Sequence, residues 1–101
     1  NDVVIVSGFN VYPHEVEAVL MQHPDVAEAA AVGVPDDHTG EAVKAYVVLR
    51  DEKTSVTDLQ EHCTGRLARF KRPREIVVVD ALPHTVMGKV VRGQLDHGVE
   101  G

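Results

Sequence analysis

Residues 26–49 read VAEAAAVGVPDDHTGEAVKAYVVL and supply the two longest candidate strands of the chain. Residues 26–34 form a nearly continuous apolar run, and residues 43–49 alternate so that one side of the strand is partly polar. The polar segment between them, residues 35–40, begins with proline and ends with glycine. This pattern predicts two antiparallel strands joined by a six-residue loop.

A short strand and a helix are predicted before this pair of strands. Residues 3–6 form a β-branched run that ends at a Ser-Gly pair, which favours a strand followed by a turn. Pro13 suits the first position of a helix because its φ angle is already fixed near the helical value. Apolar residues at helical spacing continue this helix, and His23-Pro24 ends it.

A longer helix, a strand and a short final helix are predicted after residue 49. Ser55 suits the cap of the longer helix, which is expected to continue to Pro73. Its core-facing stripe, with spacings of three and four, consists of Val56, Leu59, Cys63, Leu67 and Phe70. Residues 76–79 are predicted as the strand and residues 89–95 as the final helix. The element order predicts an α+β fold, with a small, mainly antiparallel three-stranded sheet plus a short N-terminal strand, flanked by helices.

The composition excludes several classes of protein. The chain has 101 residues and a net charge of −6, which indicates one domain and argues against nucleic acid as the main partner. No apolar run approaches the roughly 20 residues of a transmembrane helix. The single cysteine allows no internal disulfide and suits a reducing compartment, so we expect a cytoplasmic location. The six histidines lack the paired spacing of a zinc site, so we expect no metal site in this chain.

The positive charges concentrate towards the end of the chain. Seven of the ten Lys and Arg residues lie after residue 65, whereas acidic residues dominate the earlier part. Residues 69–74 read RFKRPR, in which an aromatic ring is interleaved with four cations. Such a segment can stack on a base and pair with phosphates. A solvated helix end is the alternative interpretation.

Two loops contain further candidate residues. In residues 83–89, Lys89 follows Gly88, and its long stem with a terminal point charge suits contact with a phosphate on another surface. A solvated lysine at the edge of a loop is the alternative. Residues 7–13, SGFNVYP, form a polar and aromatic loop, whose simpler interpretation is a connection packed onto the core by Val11 or Tyr12.

Together, the order and spacing of four segments resemble the C-terminal domain of adenylate-forming acyl-CoA synthetases. The segments are SGFNVYPHEVE (7–17), VAEAAAVGVPDDHTGEAVKAYVVL (26–49), FKRP (70–73) and PHTVMGKVVR (83–92). The resemblance covers almost the whole chain. The superfamily also includes luciferases and nonribosomal peptide synthetase adenylation domains. The first segment is most similar to bacterial medium- and long-chain fatty acyl-CoA synthetases.

The resemblance implies roles for individual residues. Lys89 matches the lysine that swings over the large N-terminal domain and contacts the substrate carboxylate and the ATP α-phosphate during adenylation. Gly8 matches a loop that lines the pantetheine tunnel during thioester formation. The positions that hold the CoA nucleotide in some members correspond to Phe70, Arg72 and Arg74, and the hinge corresponds to Asn1 and Asp2. The family usually has Asp or Lys at the hinge position of Asn1.

The resemblance also implies what the complete protein does. Residues 1–101 would be the lid domain of an ATP-dependent acyl-CoA synthetase, an acid–thiol ligase that converts a fatty or other carboxylic acid, ATP and CoA into acyl-CoA, AMP and pyrophosphate. Its partner would be its own N-terminal adenylation domain, absent from this chain, which would bind the acid, ATP and Mg²⁺. The chain alone would then be inactive. The alternatives are the lid of an adenylate-forming enzyme that loads a carrier protein, and a non-catalytic CoA-binding module.

Overall fold

The computed structural model describes residues 2–84, 90, 91 and 95. These residues contain five strands, two α-helices and one 3₁₀ turn. In chain order they are β1 (Val4–Val6), β2 (Phe9–Val11), α1 (Pro13–Met21), β3 (Val26–Asp36), β4 (Gly40–Leu49), α2 (Val56–Thr64), the 3₁₀ turn (Arg69–Lys71) and β5 (Glu75–Val78). The predicted α+β class is therefore confirmed.

Strand β4 is the centre of the sheet because it pairs with three other strands. It runs antiparallel to β3 from Gly40 to Leu49, meets β1 at Gly40, and runs parallel to β5 from Lys44 to Val47. Strand β1 forms an antiparallel hairpin with β2. Strand β3 therefore lies at one edge of the sheet.

The antiparallel pair predicted from residues 26–49 is confirmed, but its loop is shorter than the six residues predicted. Pairing continues as far as Asp36 and Gly40. The Asp36 Oδ1 atom accepts hydrogen bonds from the backbone N–H groups of His38 (2.9 Å) and Thr39 (3.0 Å), which closes the tight turn. The polar residues alone predicted a loop. They could not show that the Asp36 side chain would close a shorter turn.

The sheet contains one strand more than the predicted three plus one, because residues 9–11 form β2 rather than a loop. Val6 pairs with Phe9 across a two-residue turn at Ser7 and Gly8, whose φ angles are 50° and 85°. Positive φ at both positions is typical of the type I′ turn that suits a twisted hairpin. The usual sequence markers of this turn, Asn-Gly and Asp-Gly, are absent from residues 7–8.

Helix α2 begins as predicted but ends earlier. The Ser55 side chain accepts the Asp58 N–H (3.1 Å), and the Asp58 carboxylate accepts the Ser55 N–H (3.3 Å), which forms a capping box. The helix ends at Thr64 with Gly65 as its C-cap, so the prediction that it continues to Pro73 is wrong. Glycine is a poor interior helix residue, and here it ends the helix.

The predicted apolar stripe on this segment is only partly a helix face. Leu59 and Cys63 are fully buried on α2, whereas Val56 is 38% exposed. Leu67 and Phe70 pack on the core from the chain that follows the helix. Apolar residues thus continue at spacings of three and four beyond Gly65, although the helix has already ended.

The predicted final helix, residues 89–95, lies largely outside the described residues. Val90 forms an isolated antiparallel bridge with His84. The Val91 N–H donates to the Pro83 carbonyl at 2.8 Å. The predicted helix is therefore wrong for Val90 and Val91, because they pair with His84 and Pro83, whereas Leu95 is helical as predicted.

Two hydrophobic clusters lie on opposite faces of the sheet. Along β4, Ala45 and Val47 belong to the first cluster and Tyr46 to the second, as expected when alternate side chains point to opposite faces. Helices α1 and α2 cover the first cluster, and Leu82 and Leu95 belong to the second. Neither described helix is long and apolar enough to cross a membrane.

Helix α1 also protects the edge of the sheet. The Glu17 Oε2 atom accepts the backbone N–H of Ala31 on β3 at 2.8 Å. A carboxylate thus bonds to a backbone donor of β3 for which the described part of the chain supplies no strand partner.

Candidate functional site

Gly8 lies at the exposed tip of the β1–β2 hairpin, at the second position of its turn. Its φ of 85° lies in the left-handed region, which a residue with a Cβ atom adopts at a cost. No heavy atom would lie within 4 Å of a Cβ added at this position. Glycine is therefore favoured here by the backbone conformation and not by a lack of space.

Phe9 brings the hairpin tip to the 3₁₀ turn. Its ring packs against that of Phe70, with centroids 4.8 Å apart and planes inclined by 31°. Phe9 nevertheless remains 56% exposed, and the Lys71 ammonium lies 5.8 Å from the centre of the Phe70 ring. We refer to Gly8, Phe9, Phe70 and Lys71 as the tip patch.

The tip patch combines exposed aromatic surface with a fixed positive charge. The Lys71 Nζ atom also lies 3.1 Å from Glu15 Oε2, and this ion pair holds the ammonium beside the Phe70 ring. An aromatic face next to a cation can stack on a nucleotide base and attract a phosphate. Phe9 is not among the residues predicted for the site. The signal for it was an aromatic residue directly after a Ser-Gly turn.

Arg72 is occupied mainly by contacts within the domain. Its Nε donates to the Leu67 carbonyl at 3.0 Å, and its Nη2 donates to the Thr64 carbonyl at 3.1 Å. Thr64 is the last residue of α2, where carbonyl groups have no partner inside the helix. A positively charged guanidinium at this position also interacts favourably with the negative end of the helix dipole. Arg72 therefore secures the segment that follows α2.

Arg74 forms an ion pair with a residue outside the tip patch. Its Nη1 lies 2.5 Å from Asp36 Oδ2, at the turn between β3 and β4. The other oxygen of Asp36 accepts the N–H groups of His38 and Thr39 and the Thr39 hydroxyl. These hydrogen bonds lower the pKa of Asp36 to about 2, with His38 and Thr39 contributing most and Arg74 less.

The structure therefore brings together only some of the predicted site residues. Gly8 and Phe70 meet through Phe9, whereas Arg72 and Arg74 bond to separate parts of the fold. Asp2 is exposed. Asn1 and Lys89 lie outside the described residues. Val90, the residue after Lys89, is joined to His84 as described above.

Neither a metal site nor a reactive cysteine appears in the part of the chain that the structure describes. No group of three or more His, Cys, Asp or Glu side chains there is arranged to hold a metal ion. Cys63 is completely buried, and burial raises the pKa of its thiol. The cysteine is therefore a core residue, as the sequence indicated.

Comparison with known proteins gives one family. The model of the AMP-binding enzyme C-terminal domain matches residues 15–89. A long-chain-fatty-acid–CoA ligase of Escherichia coli O6:H1 is 45% identical over 99% of this chain, which covers 18% of that relative. The chain thus spans less than a fifth of this relative's length.

Comparison with solved structures leads to the same family. An o-succinylbenzoate CoA synthetase double mutant from Bacillus subtilis, bound to a product analogue, matches with a TM-score of 0.94 and 42% identity, over 99% of this chain and 20% of that one. A Mycobacterium tuberculosis fatty acyl CoA synthetase matches with a TM-score of 0.88 and 38% identity, over 93% of this chain and 19% of that one. The chain belongs to the family of AMP-binding enzyme C-terminal domains found in adenylate-forming acyl-CoA synthetases.

Proposed function

We propose that this chain is the mobile C-terminal domain of an ATP-dependent acyl-CoA synthetase. The complete enzyme would join a carboxylic acid, in the narrower proposal a fatty acid, to CoA. The reaction would pass through an acyl adenylate and release pyrophosphate and then AMP. The observation that carries the proposal is the family match over residues 15–89, together with 45% identity to a long-chain-fatty-acid–CoA ligase over nearly the entire chain. The chain would act with its own N-terminal domain, in the cytoplasm.

Lys89 would serve the first half-reaction. Negative charge develops on the oxygens around the α-phosphorus as the carboxylate attacks it. An ammonium delivered to that position stabilises this charge, provided that it is positioned before the reaction. The N-terminal domain would hold the acid, ATP and Mg²⁺, and this chain would contribute the single cation.

The tip patch and the two arginines would serve the second half-reaction. Gly8 would allow the hairpin tip to approach the pantetheine arm of CoA closely, because it carries no side chain. Phe70 would stack on the CoA nucleotide, with Phe9 extending the aromatic surface. A guanidinium has five N–H donors, and the intramolecular bonds of Arg72 and Arg74 use only some of them. The remaining N–H groups would contact CoA phosphates.

A change of lid orientation would separate the two steps. Lys89 and Gly8 serve different reactions at one active site, so the domain has to rotate between them. Asn1 and Asp2 would form the hinge. The exposure of Asp2 is compatible with a connecting segment.

Replacement of Lys89 by alanine in the full-length enzyme tests this proposal. We expect acyl-adenylate formation to slow by about 100-fold or more, the range found when one preorganised donor to a developing anion is removed. Formation of acyl-CoA from supplied acyl adenylate and CoA should continue at the unmodified rate. Each half-reaction can be followed separately by rapid quench.

Lys53→Ala provides a matched control, because Lys53 lies in the exposed turn before α2 and has no proposed role. It should leave both half-reactions unchanged. Equal loss of both steps in the Lys89 variant would contradict the assigned role. Transfer of the acyl group to a carrier protein in preference to CoA would contradict the proposed acceptor.

A further inference from the structure

The segment that contains Lys89 is anchored at both of its ends. Before it, Leu82 is buried in the second hydrophobic cluster, and after it Val90 packs against the same cluster. The His84–Val90 bridge and the bond from Val91 N–H to the Pro83 carbonyl (2.8 Å) hold the two ends together. The residues on either side of residues 85–89 are therefore held together.

A contact between His84 and Glu28 ties the base of residues 85–89 to the edge of the sheet. The His84 Nε2 atom lies 2.9 Å from the Glu28 Oε1 atom on β3. Within the described part of the chain, that oxygen is shielded from water and makes no hydrogen bond of good geometry. Burial of a carboxylate oxygen is unfavourable unless a partner compensates it. His84 is placed to provide the compensation when it is protonated.

Both side chains are also partly exposed, which limits what the pair can contribute to the free energy of unfolding. About a third of His84 (34%) and 41% of Glu28 remain accessible to solvent. Partly exposed ion pairs add little to the free energy of unfolding. A pair that contributes little to stability can still fix the direction in which a short segment leaves the sheet.

We propose that Glu28 and His84 are positioning residues for the adenylation lysine. The pair fixes the base of residues 85–89 against β3, so that the ammonium of Lys89 is presented in one direction when the lid closes over the adenylation site. The proposal rests on the proposed role of Lys89, and the experiment below separates the two. Neither Glu28 nor His84 contacts substrate in this scheme.

Neighbouring charges determine which test is informative. His14 and Glu17 of α1 line the same groove as Glu28 and His84. Four ionisable side chains thus line one groove, so a pH profile of the enzyme could not be assigned to Glu28 and His84 alone. Substitutions that keep or remove one charge give a cleaner result.

The test uses the full-length enzyme with Glu28→Gln, His84→Ala, the double variant and His84→Lys. Glu28→Gln and His84→Ala should each slow acyl-adenylate formation by about tenfold, because a slight displacement of a catalytic group is costly. The double variant should be no slower than the slower single variant, because both changes remove one interaction. His84→Lys places a permanent cation beside Glu28 and should remain within about twofold of the unmodified rate.

Two further measurements distinguish positioning from a structural role. Thioester formation from supplied acyl adenylate and the melting temperature should be unchanged in all four variants. Glu75→Gln is the matched control, because it breaks another ion pair of the same sheet, Lys44–Glu75 at 3.9 Å. This control should leave both half-reactions at the unmodified rate.

The outcomes separate the two proposals. If Lys89→Ala slows adenylation and Glu28→Gln does not, the positioning role is wrong and the proposed function stands. If Lys89→Ala is itself without effect, the proposed function is wrong. A parallel fall in both half-reactions and in the melting temperature for Glu28→Gln would make the pair a structural contact and overturn the inference.

Discussion

Asp36 joins the β3–β4 turn to the segment before β5 through one carboxylate. One oxygen closes the β3–β4 turn through His38 and Thr39, and the other bonds to Arg74 before β5. A charged hydrogen-bond acceptor with several donors is a strong local fixing point. Asp36 and Arg74 are 38 positions apart in the sequence, so only the register of the folded sheet brings them together.

The ionised form of Asp36 is expected to stabilise the domain. Its pKa falls from an ordinary value of 3.8 to about 2 on folding, so the folded state favours the carboxylate. The stabilisation is fully present above pH 3.8 and is lost as the pH falls towards 2. We therefore expect Asp36→Asn to lower the melting temperature at neutral pH.

Thermal unfolding of both proteins across this acidic range provides the measurement. The difference in melting temperature between the unmodified chain and Asp36→Asn should narrow as the pH decreases. Asp37→Asn is the control, because Asp37 is the exposed neighbour in the same turn. A difference that stays constant down to the lowest pH would show that ionisation of Asp36 contributes nothing.

The turn of the β1–β2 hairpin has positive φ at two positions, Ser7 and Gly8, and glycine occupies the second of them. Gly8 has a φ of 85° in open space, whereas Gly65, the C-cap of α2, has a φ of −83° and is equally open. The two glycines thus differ in backbone conformation and not in crowding. They form a matched pair for measuring the cost of the hairpin turn.

Replacement of Gly8 by alanine should reduce the free energy of unfolding by about 1 kcal/mol, the cost of left-handed backbone for a residue with a Cβ atom. Gly65→Ala should be neutral or stabilising by up to about 1 kcal/mol, because its φ is already accessible to alanine. Urea denaturation of both variants measures the difference. Equal effects of the two substitutions would contradict the assigned turn conformation.

Elements with a strong repeating pattern were predictable, and elements defined by one contact were not. Strands β3 and β4 carry long apolar or alternating runs, and the start of α2 carries a capping box. Strand β2 has only Val11 buried, so its three residues show no alternation. The end of α2 was mispredicted because apolar residues continue at helical spacing beyond Gly65.

For the candidate site, too, residues in recognisable sequence motifs were predictable and residues defined by a single contact were not. Gly8 and Phe70 were identified through family motifs, and Phe9, which joins them, was missed because it lies in the unpredicted β2. The intramolecular partners of Arg72 and Arg74 depend on the end of α2 and on the β3–β4 turn. Neither feature could be located accurately from the sequence.

We expect the whole chain to fold by itself but not to catalyse by itself. Its sheet has a hydrophobic cluster on each face, and twelve of the core residues are valine or alanine. Only one catalytic group is proposed within its 101 residues. The remaining chemistry would require the part of the enzyme that makes up most of the length of its relatives.

The isolated chain is therefore expected to unfold cooperatively on heating and to form no acyl adenylate. Circular dichroism measures the first property, and pyrophosphate release from ATP with a long-chain fatty acid measures the second. The full-length enzyme under the same conditions is the positive control. Acid-dependent pyrophosphate release by the isolated chain would contradict the proposal that it is only a lid.

The bond between Glu17 and the Ala31 N–H has a consequence for self-association. Strand β3 is long, rich in alanine and valine, and open at the sheet margin, which are properties that invite strand addition and fibril growth. The Glu17 carboxylate occupies one of the amides that an incoming strand would need, and it places a negative charge in its path. We therefore expect this helix side chain to hinder the addition of a strand from another molecule to β3.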